Sequence, residues 1–515
     1  MGGGYKKKTG SSKKRIEKKS GYGEIDSYKY NSREIPLRVS IVRDKKLFVP
    51  VYRLEVAEIG EGTAVLLERI RHELIEKVNL GLVEISTQIN EKILEERFGK
   101  TIEKLLDKYL PDLEESKKKF LSAYILTRSI GLGELELLID DPFLEEIVIN
   151  SSKEPVWVYH KKHGWLITNI KAKKEEDIKH YASIIARKVG RQISILEPLL
   201  DAHLPSGDRA NATLFPISTS GNTITIRKFS RDPWTITRML KNNTLTIEAA
   251  SIIWMAIQYE LSALVAGGTA SGKTSMLNSL ATIFPPNQRI ISIEDTREIM
   301  LPKYLHWVPL NTRLPNPEGK GAVTMEDLLV NSLRMRPDRI IVGEVRRKRE
   351  AETLFEAIHT GHSVYATIHA NNAEQTVERL TNPPIEVPRS MIPGISMIIV
   401  QFRNRRTGIR RTFEIAEILE DGTPRTIMKY NPKKDRIVKV AESKQLFKTL
   451  REFTGYSLVE LNNEIREKQK VLKYLVDKDI VDVHDVGRIM ALYYTDKEEL
   501  FDYIKRGEVP TDESL

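Results

Sequence analysis

Cysteine is absent from all 515 residues. That excludes disulfides, cysteine nucleophiles, iron–sulfur clusters and every thiolate zinc site. Long apolar runs are missing too. A bilayer helix needs about 18 consecutive apolar residues, and the best candidate, Ser251 to Gly268, is interrupted by Gln258 and Glu260. Membrane-spanning and porin readings therefore fall away. Residues 1 to 20 hold no apolar stretch of the secretory type, so the chain is expected to stay in the cytoplasm. Acidic residues are in deficit, 71 Asp and Glu against 81 Lys and Arg, a net charge of +10. Such a surplus suits nucleic acid, anionic lipid or phosphorylated ligands and does not choose among them. What is present has a globular balance, 40% hydrophobic and 30% charged. At about 150 residues per domain, the length predicts three to four domains.

The first segment, residues 1–30, reads as a flexible basic tail. Within its first 19 residues Lys6, Lys7, Lys8, Lys13, Lys14, Arg15, Lys18 and Lys19 stand against the single acid Glu17. A solvated tail and a contact with anionic lipid or nucleic acid both fit. Residues 31–130 read as an accessory, mostly helical segment. Val39 to Leu54 alternates loosely around Pro50, and Leu66 to Val78, Glu91 to Tyr109 and Leu113 to Ser129 carry apolar residues at helical spacing. Residues 131–231 alternate short strands (Glu145 to Asn150, Val156 to His160, a strand ending at Phe229) with an amphipathic helix from Glu175 to Val189, an α+β pattern. Pro233 marks a linker. Residues 232–430 alternate strand and helix, with unbroken apolar runs such as Ile340, Ile341 and Val342 that suit a parallel sheet buried on both faces. Residues 431–515 return to helical spacing.

A phosphate site stands out. Gly267, Gly268, Thr269, Ala270, Ser271, Gly272, Lys273 and Thr274, followed by Ser275, have P-loop spacing between an apolar strand, Leu261 to Ala266, and a helix. Glycines let backbone N–H groups converge on phosphate oxygens at a helix N-terminus. Lys273 is expected on the β/γ-phosphates and the Thr274 hydroxyl on Mg²⁺. Hydrolysis also needs carboxylates for the metal and the attacking water. Glu294 and Asp295 follow the run Ile290 to Ile293, and Glu344 follows Ile340 to Val342. Ligands of α/β sheets lie at the carboxyl ends of strands, so both glutamates are candidates, with helix-capping or surface acids as the alternative. No Asn-Lys-x-Asp guanine signature occurs, which leans toward ATP.

His362 stands before a predicted strand and His369 after it, with His359 nearby. Sensing of the γ-phosphate and ordinary strand-end positions are both open; the spacing and the lack of cysteine argue against zinc. Arg209 and Arg227 lie upstream of the linker. On the residues alone they are structural or solvated arginines, or donors that make hydrolysis depend on domain closure.

These motifs, in this order, resemble the type II/type IV secretion superfamily ATPases, which include pilus assembly, pilus retraction and archaellum motors. The resemblance covers about Leu132 to Leu419 and implies a RecA-like P-loop ATPase domain with a parallel-sheet α/β core, preceded by a smaller α+β domain and flanked by helical segments. It implies that residues 267–274 are the Walker A motif, that Glu294 belongs to the Asp box and Glu344 to an atypical Walker B motif, and that His362 and His369 belong to the His box. Arg209 and Arg227 then become nucleotide-contacting arginines. Glu344 polarises the attacking water directly or through the Mg²⁺ shell, and Glu294 assists. The flanks, Asn382 to Met391 and the helical tail from Glu464, resemble the archaeal branch. The tetracysteine zinc module of bacterial members is missing. The implied protein is a Mg²⁺-dependent ATPase forming a homo-oligomer, a hexamer. It acts with a polytopic membrane platform at the cytoplasmic face, with anionic lipid as a contact for the tail, and nucleic acid is not expected as a partner. A DNA-translocating conjugation ATPase and a nucleotide-dependent scaffold with little turnover are the rivals.

Overall fold

The computed structural model describes residues 23–56, 59–78, 91–204, 206–229, 232–315 and 318–510. The chain forms two units, Met1–Phe229 and Ser230–Leu515.

In the first unit the strands are β1 (Gly23–Ser32), β2 (Ile35–Arg43), β3 (Val51–Val56), β4 (Leu144–Ile149), β5 (Trp157–His160), β6 (Gly164–Thr168), β7 (Leu199–His203), β8 (Arg209–Thr213) and β9 (Thr223–Arg227). Helices α1 (Glu61–Val78), α2 (Glu91–Tyr109), α3 (Glu115–Ile130), α4 (Glu134–Asp140) and α5 (Glu175–Lys188) complete it. One sheet runs in the order β1-β2-β3-β6-β5-β4-β9-β8-β7. Ile35, Leu37, Val39 and Ile41 alternate inward along β2 and share a core with Leu54, Ile70, Phe98, Leu105, Ile147 and Ile185.

The accessory segment carries its three helices, α1 to α3, and its alternating stretch pairs as β2 and β3 in the same sheet as the α+β module. One boundary is corrected: the tail does not extend to residue 30, since β1 begins at Gly23; residues 1–22 lie outside the described residues. The cause is burial of residues that look polar. Tyr28 and Tyr52 each donate to Asp141 Oδ2 at 2.6 Å, and Tyr30 donates to the Leu137 carbonyl at 2.6 Å. Asp141 is fully buried and also accepts the Phe143 amide at 2.8 Å. A tyrosine can bury its ring when its hydroxyl has a partner, so a Tyr- and Lys-rich stretch pairs as a strand.

The second unit contains α6 (Ile236–Lys241), α7 (Ile247–Gln258), α8 (Lys273–Ala281), α9 (Met325–Ser332), α10 (Lys348–His359) and α11 (Ala373–Thr381). Its strands are β10 (Ala263–Gly267), β11 (Arg289–Glu294), β12 (His306–Asn311), β13 (Arg339–Val342), β14 (Ser363–Ile368), β15 (Met397–Arg403), β16 (Arg410–Ile418), β17 (Pro424–Asn431) and β18 (Arg436–Lys439). Helices α12 (Gln445–Thr454), α13 (Leu458–Asp477), α14 (Val483–Thr495) and α15 (Lys497–Arg506) follow. The sheet order is β12-β11-β13-β14-β10-β15-β16-β17-β18, parallel from β12 to β15 and antiparallel beyond. Both faces are covered. Leu264 and Ala266 of β10 join one core with Ile291, Ile340 and Phe355, while Val265 joins the other with Trp254, Phe284 and Leu472. An all-apolar strand is what that geometry demands.

The C-terminal segment also departs from expectation. Residues 436–439 form a strand in the sheet, and α13 and α14 lay Leu461, Ile465, Leu472, Ile489 and Met490 into the core that covers α7. Asn431 Oδ1 accepts the Lys433 and Lys434 amides at 3.0 and 3.2 Å and closes a polar hairpin between β17 and β18 that lacks strand-like alternation in sequence. No helix among the described residues is long and apolar enough to cross a membrane.

Candidate nucleotide site

Between β10 and α8 the chain makes a tight loop whose geometry selects its residues. Gly272 sits at φ +95° before the first helical residue, and Ala270 is left-handed at φ +57°. A Cβ on Gly267 would fall 2.4 Å from Ser271 Oγ and 2.5 Å from the Gln401 backbone oxygen, so only glycine fits. The loop feeds the N-terminus of α8, where free backbone N–H groups and the helix dipole favour an anion. Two side chains beside it suit an oxygen-rich ligand. Ser271 Oγ is buried with no hydrogen-bond partner among the described residues. Lys273 is 9% exposed, and among the described residues its Nζ finds only the Gly268 carbonyl at 3.2 Å and the His369 ring at 3.4 Å. Burial draws the Lys273 amine below the usual lysine range, against the pull of Glu344. A phosphate would satisfy both groups.

The sheet order puts the acids beside this loop. β14 is next to β10, β13 next to β14 and β11 next to β13, all parallel. With a spacing of about 4.8 Å between strands, the end of β13 lies about 10 Å from the end of β10, and that of β11 about 14 Å. Glu344 and His369 form the nearer set. Glu344 Oε1 lies 3.1 Å from His369 Nε2, and Oε2 accepts Arg346 Nη2 at 2.8 Å. Burial, followed by the charge of Lys273, lowers the His369 pKa and favours neutral imidazole. Nε2 is the ring nitrogen that faces the Glu344 carboxylate, while Lys273 Nζ lies 3.4 Å from Nδ1 and 3.5 Å from Nε2. The result is a chain of contacts from Lys273 through His369 to Glu344.

Glu294 behaves differently. It is 2% exposed, and its Oε1 accepts the amides of Glu298 at 2.9 Å and Ile299 at 3.1 Å. Burial pushes its carboxyl up to about 8. One oxygen of Glu294 thus holds the turn after β11. Asp295 is the acid that reaches the edge, accepting from Arg346 Nη1 at 2.9 Å and Thr312 Oγ1 at 3.1 Å. His362 is not brought to the loop either. It precedes β14 and contacts the Ala357 carbonyl and Thr360 Oγ1, each at 3.1 Å, at the amino end of the strand, about 20 Å along the strand axis from His369. A phosphate-sensing role within its own chain's site is therefore corrected for His362.

Arg209 and Arg227 stand directly opposite each other on β8 and β9 of the first unit. Opposed residues of an antiparallel pair share a face. Arg209 grips Asp201 through Nε at 3.1 Å and Nη2 at 2.8 Å and holds that carboxyl below its usual range. Thr274 and Ser275 occupy the first turn of α8, partly exposed. Thr274 and Glu344 supply the oxygen donors that a hard divalent cation bound with phosphates requires. Sequence reasoning missed Arg346, whose position two residues after Glu344 was its only signal, and Arg410, which had none: its Nε donates to the Ala270 carbonyl at 2.9 Å from 140 residues away.

Fold and loop define a P-loop protein. Residues 131–402 match the family model described as "Type II/IV secretion system protein". An uncharacterized protein of Methanocaldococcus jannaschii is 34% identical over 435 residues, spanning 82% of this chain and 78% of that protein. The type IV secretion system protein PtlH of Bordetella pertussis is 30% identical over 316 residues, 55% of this chain and 91% of PtlH. Among solved structures, the VirB11 ATPase from the Brucella suis type IV secretion system, in complex with sulphate, is 26% identical over 55% of this chain and 92% of that one, with a TM-score of 0.28. The chain belongs to the type II/IV secretion system protein family.

Proposed function

We propose that the chain is an ATPase whose turnover powers protein secretion or the assembly of type IV pilus-like filaments. The observation that carries this reading is the contact chain Lys273–His369–Glu344 at the mouth of the P-loop, with Ser271 Oγ lacking a hydrogen-bond partner among the described residues beside it. In this reading the loop amides, Ser271 and Lys273 hold the phosphates of ATP. Thr274 and Glu344 hold Mg²⁺, directly or through water, which would draw charge from the phosphates. Glu344 orients the attacking water, and His369 relays the presence of phosphate from Lys273 to Glu344. Arg209 and Arg227 supply positive charge from the first unit of the same or a neighbouring chain. The protein works as a ring, a hexamer, peripheral to the cytoplasmic face of a membrane. A polytopic platform receives its stroke there, and residues 1–22 contact anionic lipid. Hydrolysis of Mg-ATP by the full chain, with Lys273→Ala as the blank, tests the reading. Turnover that vanishes in the variant supports it. Turnover that persists removes the site, and nucleotide binding without turnover in either chain favours a scaffold.

A further inference from the structure

The parallel strands end at one edge of the sheet, and β16 begins there. β15 lies beside β10 with Gly267 opposite Gln401, and β16 returns antiparallel to β15 with Arg403 opposite Arg410. The first residue of β16 is thereby delivered to the edge that carries the P-loop. The turn between them is closely specified: Asn404 Oδ1 accepts the amides of Arg406 at 3.0 Å and Thr407 at 3.2 Å, and Gly408, at φ +74°, donates to the Asn404 carbonyl at 2.8 Å. Along β16 the side chains alternate. Arg411 turns away and grips Asp435 through Nε at 3.0 Å and Nη2 at 2.6 Å. Arg410 turns to the loop, donating from Nε to the carbonyl of left-handed Ala270 at 2.9 Å, with its Cδ 3.7 Å from where a Gly272 Cβ would stand. Its terminal nitrogens meet no partner among the described residues. Arg410 also lies beyond residue 402, where the family match ends.

We propose that Arg410 is a positioning residue that holds the P-loop in its anion-binding shape through the Ala270 carbonyl and offers its two terminal nitrogens to the phosphates. The inference rests on the nucleotide reading above. Arginine is required because one nitrogen braces the loop while two others remain available; a lysine amine lacks that fork. The test measures the affinity of the full chain for Mg-ADP by calorimetry, and KM and kcat for Mg-ATP. In Arg410→Gln the affinity falls about 10- to 100-fold and KM rises in parallel, with kcat changed far less, because a charge-assisted contact to the bound ligand is lost. Arg410→Lys loses less, and Arg406→Gln, exposed on the same turn, binds like the wild-type chain. Melting temperatures without nucleotide separate binding from folding, and Arg410→Lys stands in if the glutamine variant does not fold. Wild-type affinity in both Arg410 variants overturns the proposal. Failure of the wild-type chain itself to bind Mg-ADP overturns the nucleotide reading instead.

Discussion

At the residue scale, two glutamates that end neighbouring strands have opposite fates. Glu344 keeps one oxygen toward His369 and one on Arg346, while Glu294 is sealed under the backbone of Glu298 and Ile299. Glu344→Gln is expected to bind Mg-ATP while losing at least about 100-fold in turnover, the usual weight of a positioned base. Glu294→Gln is expected to keep most of its turnover, because a glutamine carbonyl still accepts both amides. Its signature lies in stability. Burial raises the Glu294 carboxyl from 4.5 to about 8 in the folded chain. Between those values the folded state binds a proton that the unfolded state has released, so this group's contribution is full below about pH 4.5 and declines as pH rises through 8. The glutamine carries no such proton. Melting scans should therefore show the variant gaining on the wild-type chain as pH is raised from 5 to 9. A difference between the two that stays constant over that range would mean that Glu294 is ionised in the folded protein.

At the element scale, the sequence was most legible where burial is two-sided. Strand β10 and the run Ile340 to Val342 of β13 are apolar, β14 sets Val364, Ala366 and Ile368 between Ser363, Tyr365 and Thr367, and helices with capping residues such as Thr324 and Asn372 bound them, which is how composition marks them. The P-loop was legible for the same reason, as its glycines answer to local geometry. Strands β1 and β3 were not, because what buries Tyr28 and Tyr52 is a single carboxylate some 90 to 113 residues further on. Glu294 and Glu344 were indistinguishable in one dimension, since the direction of a side chain at a strand end depends on which amides lie below it. His362 was a different case: it precedes its strand, and the rule that ligands sit at carboxyl ends already separates it from His369. The C-terminal helices were legible as helices but not as part of the nucleotide unit's core. Their attachment has a polar centre. Lys468, fully buried on α13, donates to Glu464 at 2.8 Å and to Tyr493 at 3.1 Å, and Glu464 accepts from Gln258 and Tyr259 of the α7 region. Glu464→Ala strands that ammonium and should cost about 3 to 5 kcal/mol in denaturant unfolding. Replacing both residues by apolar ones of similar size, Glu464→Leu with Lys468→Met, should recover much of the loss. If the single variant unfolds like the wild-type chain, the pair is not what joins these helices to α7.

At the scale of the whole molecule, the question is whether one chain contains a complete machine. The second unit holds the loop, the lysine, the histidine and the glutamate. The arginines that the family resemblance singles out stand on another unit, with Arg209 tied to Asp201 there. Charge on a transferring phosphoryl group needs a donor within contact distance, so turnover should be limited by whatever brings such a donor to the loop. If a neighbouring chain does this, the active species is an assembly and its population follows mass action. Mg-ATP turnover per chain should then rise with protein concentration, reach a plateau as rings fill, and be absent from Lys273→Ala at every concentration. Mixing supplies the second half of the argument. Chains carrying Lys273→Ala with intact arginines, added to chains carrying Arg209→Gln and Arg227→Gln with an intact loop, should regain turnover only if an arginine serves its neighbour's nucleotide. Turnover that is flat down to the lowest measurable concentration, with no rescue on mixing, would place the whole machine in a single chain and leave any assembly a role in transmitting force rather than in making it.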